Sequence, residues 1–172
     1  MKIAETDRLI ISEVTLQDAP FIIVLVNSPQ WLKFVGDRNV KSVPAAETYL
    51  KNGILKSYAD SGYGFYKVTQ KIATEIAIGL VGIVKRAELE HTDIGFAFLP
   101  EFEGKGFGYE SSLAIMKLAK EKFKLEKLVA ITNPMNVNSI KLLEKLGMTF
   151  EKKVNPFDEN EELLLFAKTL IE

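Results

Sequence analysis

Three glycines alternate within residues 103–109, where the chain reads Glu-Gly-Lys-Gly-Phe-Gly-Tyr. An apolar segment typical of a strand, residues 93–99, precedes this loop, and the apolar spacing of residues 110–123 predicts an amphipathic helix after it. Glycine permits tight bends and leaves amide groups accessible, and the first amides of a helix have no partner within that helix. A strand, a glycine loop and a helix in this order can therefore bind phosphate oxygens, whereas an ordinary tight turn is the simpler interpretation of the glycines alone.

The glycine spacing excludes two nucleotide-binding motifs. A P-loop requires Gly-x-x-x-x-Gly-Lys followed by Ser or Thr, and the chain contains no such run. The dinucleotide motif Gly-x-Gly-x-x-Gly does not fit either, because the spacing here is Gly-x-Gly-x-Gly. The loop also lies late in the chain, and no strand–helix–strand unit leads into it.

Composition limits the remaining chemistry. The chain of 172 residues has a net charge of −1, so no broad basic face for nucleic acid is expected. It contains no cysteine and one histidine, His91, which excludes disulfides, thiolate ligands, a cysteine nucleophile and a histidine-rich metal site. The N-terminal sequence is too polar for a signal peptide, and no apolar run is long enough to span a bilayer. We therefore expect a cytoplasmic protein without a metal.

The strand and helix patterns predict one α+β domain over residues 1–172. Predicted strands cover residues 8–14, 64–70, 75–85, 93–99 and 127–132, and a closing hairpin covers residues 148–153 and 162–168. Predicted helices cover residues 16–26, 45–60, 110–123 and 136–146, and a short helix contains Trp31 and Phe34. Short turns join the three strands before the glycine loop, so we expect these strands to be antiparallel.

Three separated motifs give the chain a resemblance to one family. They are Thr6-Asp7-Arg8-Leu9 near the start, the run from Phe98-Leu99-Pro100 through the glycine loop to Glu110, and Asn136-Val137-Asn138-Ser139 with Leu146-Gly147-Met148. In this combination they resemble the GNAT superfamily of acyl-CoA-dependent N-acyltransferases, and most closely its subgroup of bacterial ribosomal-protein alanine N-acetyltransferases. The resemblance covers nearly the whole chain. It implies a mixed, mostly antiparallel sheet with helices on both faces, in which a central pair of strands splays apart to admit acyl-CoA.

The resemblance assigns acetyl-CoA as the cosubstrate. Backbone groups of Phe98 and Leu99 would bond the pantetheine amides, and Asn136 and Ser139 would lie near the pantetheine and the sulfur. The pyrophosphate would be bound by the amides of the loop, namely Gly104, Lys105, Gly106, Phe107, Gly108 and Tyr109. One position departs from the family pattern, because Glu103 stands where Gln or Arg is usual. We expect Glu103 to point outward, with its charge offset by Lys105.

The implied reaction is attack of a neutral amine on a thioester, which needs a base for the amine proton and a donor for the leaving thiolate. No covalent enzyme intermediate is required. The resemblance points to Ser139 as the donor, with stabilisation of a helix start as the alternative role, and Tyr109 is a weaker candidate. Asp93 is the candidate base because it begins the strand before the loop, although a role in the turn would also explain it. The pattern does not choose between Asp93 and four further groups: Glu110, His91, Asp37 and Glu151.

The acceptor side is the least defined part of the sequence. Trp31, Phe34 and Asp37 are candidate substrate residues at the rim of a cleft, while Trp31 and Phe34 would also suit a hydrophobic core. The expected function is transfer of an acetyl group from acetyl-CoA to a primary amine, either a protein N-terminus or a small molecule. A non-catalytic acyl-CoA-binding module is the alternative. The resemblance further implies a homodimer, and neither nucleic acid nor a membrane is an expected partner.

Overall fold

Segments rich in β-branched and aromatic residues form one eight-stranded sheet in the computed structural model, which describes residues 1–171. The strands are β1 (Lys2–Glu5), β2 (Leu9–Glu13), β3 (Phe65–Gln70), β4 (Ala73–Val84), β5 (Asp93–Phe98), β6 (Lys127–Thr132), β7 (Thr149–Val154) and β8 (Leu163–Thr169). Their spatial order is β1-β2-β3-β4-β5-β6-β8-β7. Every predicted strand is present, and β1 is an additional strand that the sequence patterns did not predict.

Helices cover the sheet on both faces. They are α1 (Ala19–Val26), α2 (Pro29–Phe34), α3 (Val43–Asn52), α4 (Ile54–Ser61), α5 (Phe107–Glu121) and α6 (Val137–Lys145). The prediction of one helix over residues 45–60 is wrong, because glycine weakens a helix and Gly53, with φ −116° and ψ −93°, leaves the helical conformation between α3 and α4. The helix predicted from residue 16 begins as a 3-10 turn, Leu16–Asp18. Among residues 1–171, no helix is both long and apolar enough to cross a membrane.

The two largest of three hydrophobic clusters lie on opposite faces of the sheet. Helices α5 and α6 pack on one face, where Ile115 and Leu143 are almost fully buried. Helices α1, α3 and α4 cover the other face, around Ile22 and Leu50. This arrangement confirms the predicted mixed sheet with helices on both faces.

Strands β5 and β6 run parallel and separate soon after they meet. Their register contains a single pair of partners, Asp93 and Val129, and the Val129 N–H donates a hydrogen bond of 3.0 Å to the Thr92 carbonyl. Beyond this point β6 pairs with β8 on its other side, and β5 pairs with β4. The predicted splayed strand pair is therefore present, with Asp93 at its closed end.

Side chains alternate along β5 and divide this strand between the two cores. Phe96 and Phe98 pack with the core under α5 and α6. Ala97 packs with the core under α1, α3 and α4. Asp93 lies an even number of residues from Ala97, so its side chain is on the same face as α1, α3 and α4.

Candidate active site

The opening between β5 and β6 is flanked by the first turns of two helices. The glycine loop leads from the end of β5 to α5, and residues 133–136 lead from the end of β6 to α6. Because β5 and β6 are parallel, both helices begin at the same edge of the sheet, where open sheets commonly bind ligands. The N-terminal amides of both helices lack partners in their own helix, so this edge suits an anionic ligand.

The glycine loop contains two residues in the left-handed region of the backbone. Gly104 has φ +70° and Gly106 has φ +83°, and Gly106 is the N-cap of α5. Any residue with a Cβ would be strained at these angles. Glu103 is exposed, as expected, but among the described residues it forms no ion pair with Lys105, whose Nζ lies 5.8 Å from the centre of the Phe102 ring. The sharp bend at the start of a 15-residue helix leaves the loop amides accessible to an anion.

Gly108 brings α6 close to α5. A Cβ at this position would lie 2.9 Å from Leu142 Cδ2 on α6, closer than side chains approach one another. The next residue, Tyr109, is half-buried, and Lys145 Nζ lies 4.2 Å from the centre of its ring. The first turn of α5 is therefore packed against the C-terminal half of α6 by contacts that follow directly after the loop.

The side chain of Asn136 caps α6. Asn136 Oδ1 accepts a hydrogen bond of 3.2 Å from the Ser139 N–H. The helix-start role that the sequence left open for Ser139 is therefore filled by Asn136. Ser139 is half-buried in the first turn of α6, and the cap leaves its hydroxyl available to a ligand.

Asp93 is the candidate base that the structure buries at the closed end of the opening. Only 3% of the residue is exposed, and its Oδ1 accepts a hydrogen bond of 3.0 Å from Arg86 Nε. Burial raises the pKa of Asp93 above its ordinary value, while the charge and hydrogen bond of Arg86 oppose that rise. A carboxyl with a raised pKa holds a proton more readily at neutral pH, which suits a general base.

Arg86 connects Asp93 to other parts of the chain. Its guanidinium lies 5.5 Å from the centre of the Phe157 ring, in the loop between β7 and β8. Burial raises the pKa of Tyr49 on α3, and the positive charges of Arg38 and Arg86 oppose that rise, so both arginines lie near this phenol. We call these five residues the arginine cluster: Arg38, Tyr49, Arg86, Asp93 and Phe157.

Two of the alternative bases are held by hydrogen bonds that favour the charged carboxylate. Burial alone would raise the pKa of Glu110, but hydrogen bonds from Thr6 and Arg8 outweigh it and lower the pKa. The backbone N–H of Asn39 lowers the pKa of Asp37, which is exposed. A carboxylate with a lowered pKa is a weaker base, so neither group suits proton abstraction as well as Asp93 does.

The other two alternatives lie away from the opening. Glu151 is on β7 at the far side of the sheet, where it pairs with Lys127 Nζ at 3.3 Å. His91 precedes β5, at the opposite edge of the sheet from the glycine loop. It lines a shallow surface depression together with Thr92 and Lys124. Within residues 1–171, no group of three or more acidic or histidine side chains is placed to hold a metal ion.

The predicted substrate residues lie on α2 and in the segment that follows it. Trp31 is half-buried against the core under α1 and α3, and its indole N–H has no hydrogen-bond partner within residues 1–171. Phe34 is half-buried, with Lys33 Nζ 5.0 Å from the centre of its ring. Asp37 is exposed and pairs with Lys41 at 3.5 Å. Trp31 thus lies on the same face of the sheet as Asp93.

Sequence reasoning missed Arg8, Arg86, Tyr49 and Phe157. The hairpin between β4 and β5 offered one usable signal, because Val84 pairs with the first residue of β5 and Arg86 therefore falls in the connecting turn close to that residue. An acidic strand residue opposite a basic turn residue favours an ion pair. No comparable signal relates Tyr49 or Phe157 to the site, since their contacts depend on the tertiary fold.

Comparison with known proteins agrees with this geometry. The model of the acetyltransferase (GNAT) domain matches residues 8–149. The uncharacterized N-acetyltransferase YoaA of Bacillus subtilis is 26% identical over 152 residues, which are 88% of this chain and 84% of YoaA. The match to YnaD of the same organism is 33% identical over 63 residues, and it spans 36% of this chain and 37% of YnaD.

The fold is also that of solved acetyltransferases. An acetyltransferase of Salmonella typhimurium that modifies the N-terminal serine of ribosomal protein L7/L12 aligns with a TM-score of 0.80. It is 14% identical, and the alignment covers 100% of both chains. The family match covers most of the chain, including the glycine loop and both helix starts. The chain therefore belongs to the GNAT family of acetyl-CoA-dependent N-acetyltransferases.

Proposed function

We propose that this enzyme transfers the acetyl group of acetyl-CoA to the N-terminal amine of a protein or peptide, with Asp93 as the general base. One observation carries the proposal. Two helix N-termini flank an opening between parallel strands, and a buried carboxyl with a raised pKa lies at the closed end of that opening. The arrangement offers an anion site at one end and a proton acceptor at the other.

The length of β5 suits an extended acyl-CoA. Asp93 and Phe98 are the ends of a six-residue strand, so they lie roughly 17 Å apart at about 3.3 Å per residue. The loop amides of residues 104–109 would hold the pyrophosphate at one end of this length. Backbone groups of Phe98 would bond the pantetheine amides, and Asn136 and Ser139 would lie beside the arm. The N–H of Leu99, also expected to contribute, donates to the Ile78 carbonyl, and the Leu99 carbonyl accepts the Phe102 N–H, both at 2.9 Å. When bound, acetyl-CoA supplies the thioester between β5 and β6.

The chemistry needs one proton acceptor and one donor. The amine nitrogen attacks the thioester carbonyl, a C–N bond forms and the C–S bond breaks. Asp93 takes the amine proton, directly or through a water molecule, and Arg86 orients its carboxylate. Ser139 donates a hydrogen bond to the leaving sulfur, and the capping of α6 by Asn136 supports this role because it leaves the hydroxyl free. Tyr109 is a weaker donor candidate, since its ring lies under Lys145.

The acceptor would approach on the face of the sheet that carries the arginine cluster. Asp93 projects to this face, and Trp31, Phe34 and Asp37 belong to the segment that borders it. A structural neighbour that modifies the N-terminal serine of a ribosomal protein supports a protein N-terminus as the acceptor class. We infer that the loop between β7 and β8 contacts the acceptor peptide, because its Phe157 lies over Arg86.

The test is acetyl-CoA turnover across a panel of amines, with released thiol as the readout. The panel contains peptides that begin with Ser, Ala, Met or Gly, together with polyamines, free amino acids and aminoglycosides. We expect turnover with one group of peptides and background rates with the small amines. Turnover only with small amines would contradict the protein acceptor, and acetyl-CoA binding without turnover on any amine would support a non-catalytic module.

Three further expectations complete the proposal. We infer one GNAT-like domain over residues 1–172, because the two largest hydrophobic clusters of the described chain pack on opposite faces of one sheet. The cytoplasmic location stays a prediction, and so does the homodimer. Cell fractionation and light scattering test these two points.

A further inference from the structure

Arg8 lies between β1 and β2, far from the glycine loop in sequence, yet its side chain makes three contacts with the loop and the first turn of α5. Its Nη1 donates a hydrogen bond of 3.1 Å to the Lys105 carbonyl. Its Nε donates a hydrogen bond of 2.8 Å to Glu110 Oε1, in the first turn of α5. Its guanidinium carbon lies 4.4 Å from the centre of the Phe107 ring, between these two contacts in the chain. One side chain therefore connects the loop, its helix and the N-terminal strands.

The bond to the Lys105 carbonyl determines the direction of the next amide. No peptide bond within residues 1–171 is cis, so the carbonyl of Lys105 and the N–H of Gly106 point in opposite directions across a planar unit. Arg8 holds that carbonyl toward itself, and the Gly106 N–H must then point away from Arg8. At φ +83° Gly106 could adopt other conformations at little cost, so an external hydrogen bond is needed to select one.

The same contacts control the charge of Glu110. A free carboxylate in the first turn of α5 would repel a phosphate bound at the loop. Glu110 is instead paired through Oε1 with Arg8 Nε, and its Oε2 accepts the Arg8 N–H at 3.1 Å and the Thr6 hydroxyl. The Thr6 hydroxyl in turn accepts the Leu9 N–H at 3.1 Å, which anchors the group to the start of β2. The negative charge is therefore neutralised and directed toward the N-terminal strands.

We propose that Arg8 is a positioning residue that orients the Gly106 amide toward the pyrophosphate of CoA and neutralises Glu110 beside it. The inference rests on the proposed role of the loop as the pyrophosphate site. The Arg8 side chain acts on the anion site alone, since its contacts are confined to the loop and the first turn of α5. Its removal should weaken ligands that carry the pyrophosphate and spare ligands that lack it.

The experiment compares two probes on Arg8→Gln. CoA is titrated by calorimetry, and S-acetylpantetheine, which lacks the pyrophosphate, is titrated by NMR. We expect CoA affinity to fall about tenfold, the scale of a lost hydrogen bond to a charged group, with S-acetylpantetheine affinity unchanged. The matched control is Lys153→Gln, which removes an exposed cation paired with Glu162 at 3.5 Å on β7, at the opposite end of the strand order from β1 and β2. It should leave both affinities within about twofold of the parent protein.

Two further variants make the outcome decisive. Arg8→Lys keeps the charge and protects folding, but a single ammonium cannot bond Glu110 and the Lys105 carbonyl in the fork geometry of Arg8, so CoA affinity should still fall. Unchanged CoA affinity in both Arg8 variants overturns the proposal, and so does an equal loss for the two probes. Gly106→Val tests the loop itself: if this variant binds CoA like the parent protein, the pyrophosphate site is wrong, whatever the Arg8 variants show.

Discussion

The glycine loop and the arginine cluster lie at the two ends of the same opening, but they are built differently. The loop presents backbone amides from consecutive residues, and its shape depends on two glycines at positive φ. The arginine cluster consists of side chains from separate segments, joined by the ion pair between Arg86 and Asp93 and by the contact of Arg86 with Phe157. The first can bind an anion common to many substrates, whereas the second can discriminate between acceptors.

The difference has a consequence for mutagenesis. A backbone site tolerates many side-chain changes and fails when the backbone is forced out of its conformation. A side-chain cluster fails when one charge is removed, because a buried partner is left behind. Substitutions at the loop should therefore affect binding of CoA, and substitutions in the arginine cluster should affect the catalytic rate or its dependence on pH.

The largest effect is expected from Gly106→Glu. The new side chain is strained at φ +83° by about 1–2 kcal/mol and places a carboxylate beside the pyrophosphate site. We expect CoA binding to become undetectable by calorimetry. The matched control is Gly62→Glu, because Gly62 has φ +80°, an open surrounding and a place at the end of α4, away from the loop. Equal losses of CoA binding in the two variants would contradict the loop assignment.

Asp93→Asn should affect the rate and spare binding. The amide cannot take the amine proton, so we expect kcat to fall about 100-fold or more, with CoA affinity within about twofold of the parent protein. The control is Asp18→Asn, which alters another mostly buried carboxylate, paired with Lys67 Nζ at 2.9 Å. Asp18→Asn should lower the melting temperature without a comparable loss of kcat. A fully active Asp93→Asn would leave Asp93 with a structural role only.

Arg86→Gln should change the pH dependence rather than the maximum rate. Arg86 opposes the rise in the pKa of Asp93, so its removal lets burial raise that pKa further. The base is protonated below its pKa, and the acidic limb of kcat/KM should therefore move to higher pH. Arg86→Lys keeps the charge and should leave the limb close to its original position. If the acidic limb of kcat/KM stays in place in Arg86→Gln, Asp93 is not the base whose protonation limits the rate.

The same contrast explains what the sequence could predict. The glycine loop, α5 and α6 are local features, because apolar spacing and glycine positions specify them within a few residues of the chain. The break at Gly53 was missed because a single glycine inside an apolar helical pattern is often tolerated. The short strand β1 was missed because Lys2–Glu5 has two charged ends and no long apolar alternation.

The contacts of the site were less predictable than its elements. Arg8 and Glu110 are separated by 102 residues, and nothing in either local sequence relates them. Asp93 could be proposed as a base from its position, but its burial and its pairing with Arg86 become visible only when β4 and β5 form a hairpin. Ionisable groups that depend on such long-range contacts are therefore the residues that a structure adds to the sequence reading.

Ser139→Ala is expected to have the smallest effect and tests whether the first turn of α6 contributes to chemistry or only to structure. Asn136 already caps the helix, so the variant should keep its melting temperature while kcat falls several-fold through loss of a hydrogen bond to the leaving sulfur. Ser42→Ala is the matched control, because the Ser42 hydroxyl accepts the Ala45 N–H at 3.2 Å and caps α3. That control should lose about 1 kcal/mol of stability and keep its rate. If both variants lose stability and neither loses rate, Ser139 supports the helix and the leaving sulfur needs another donor.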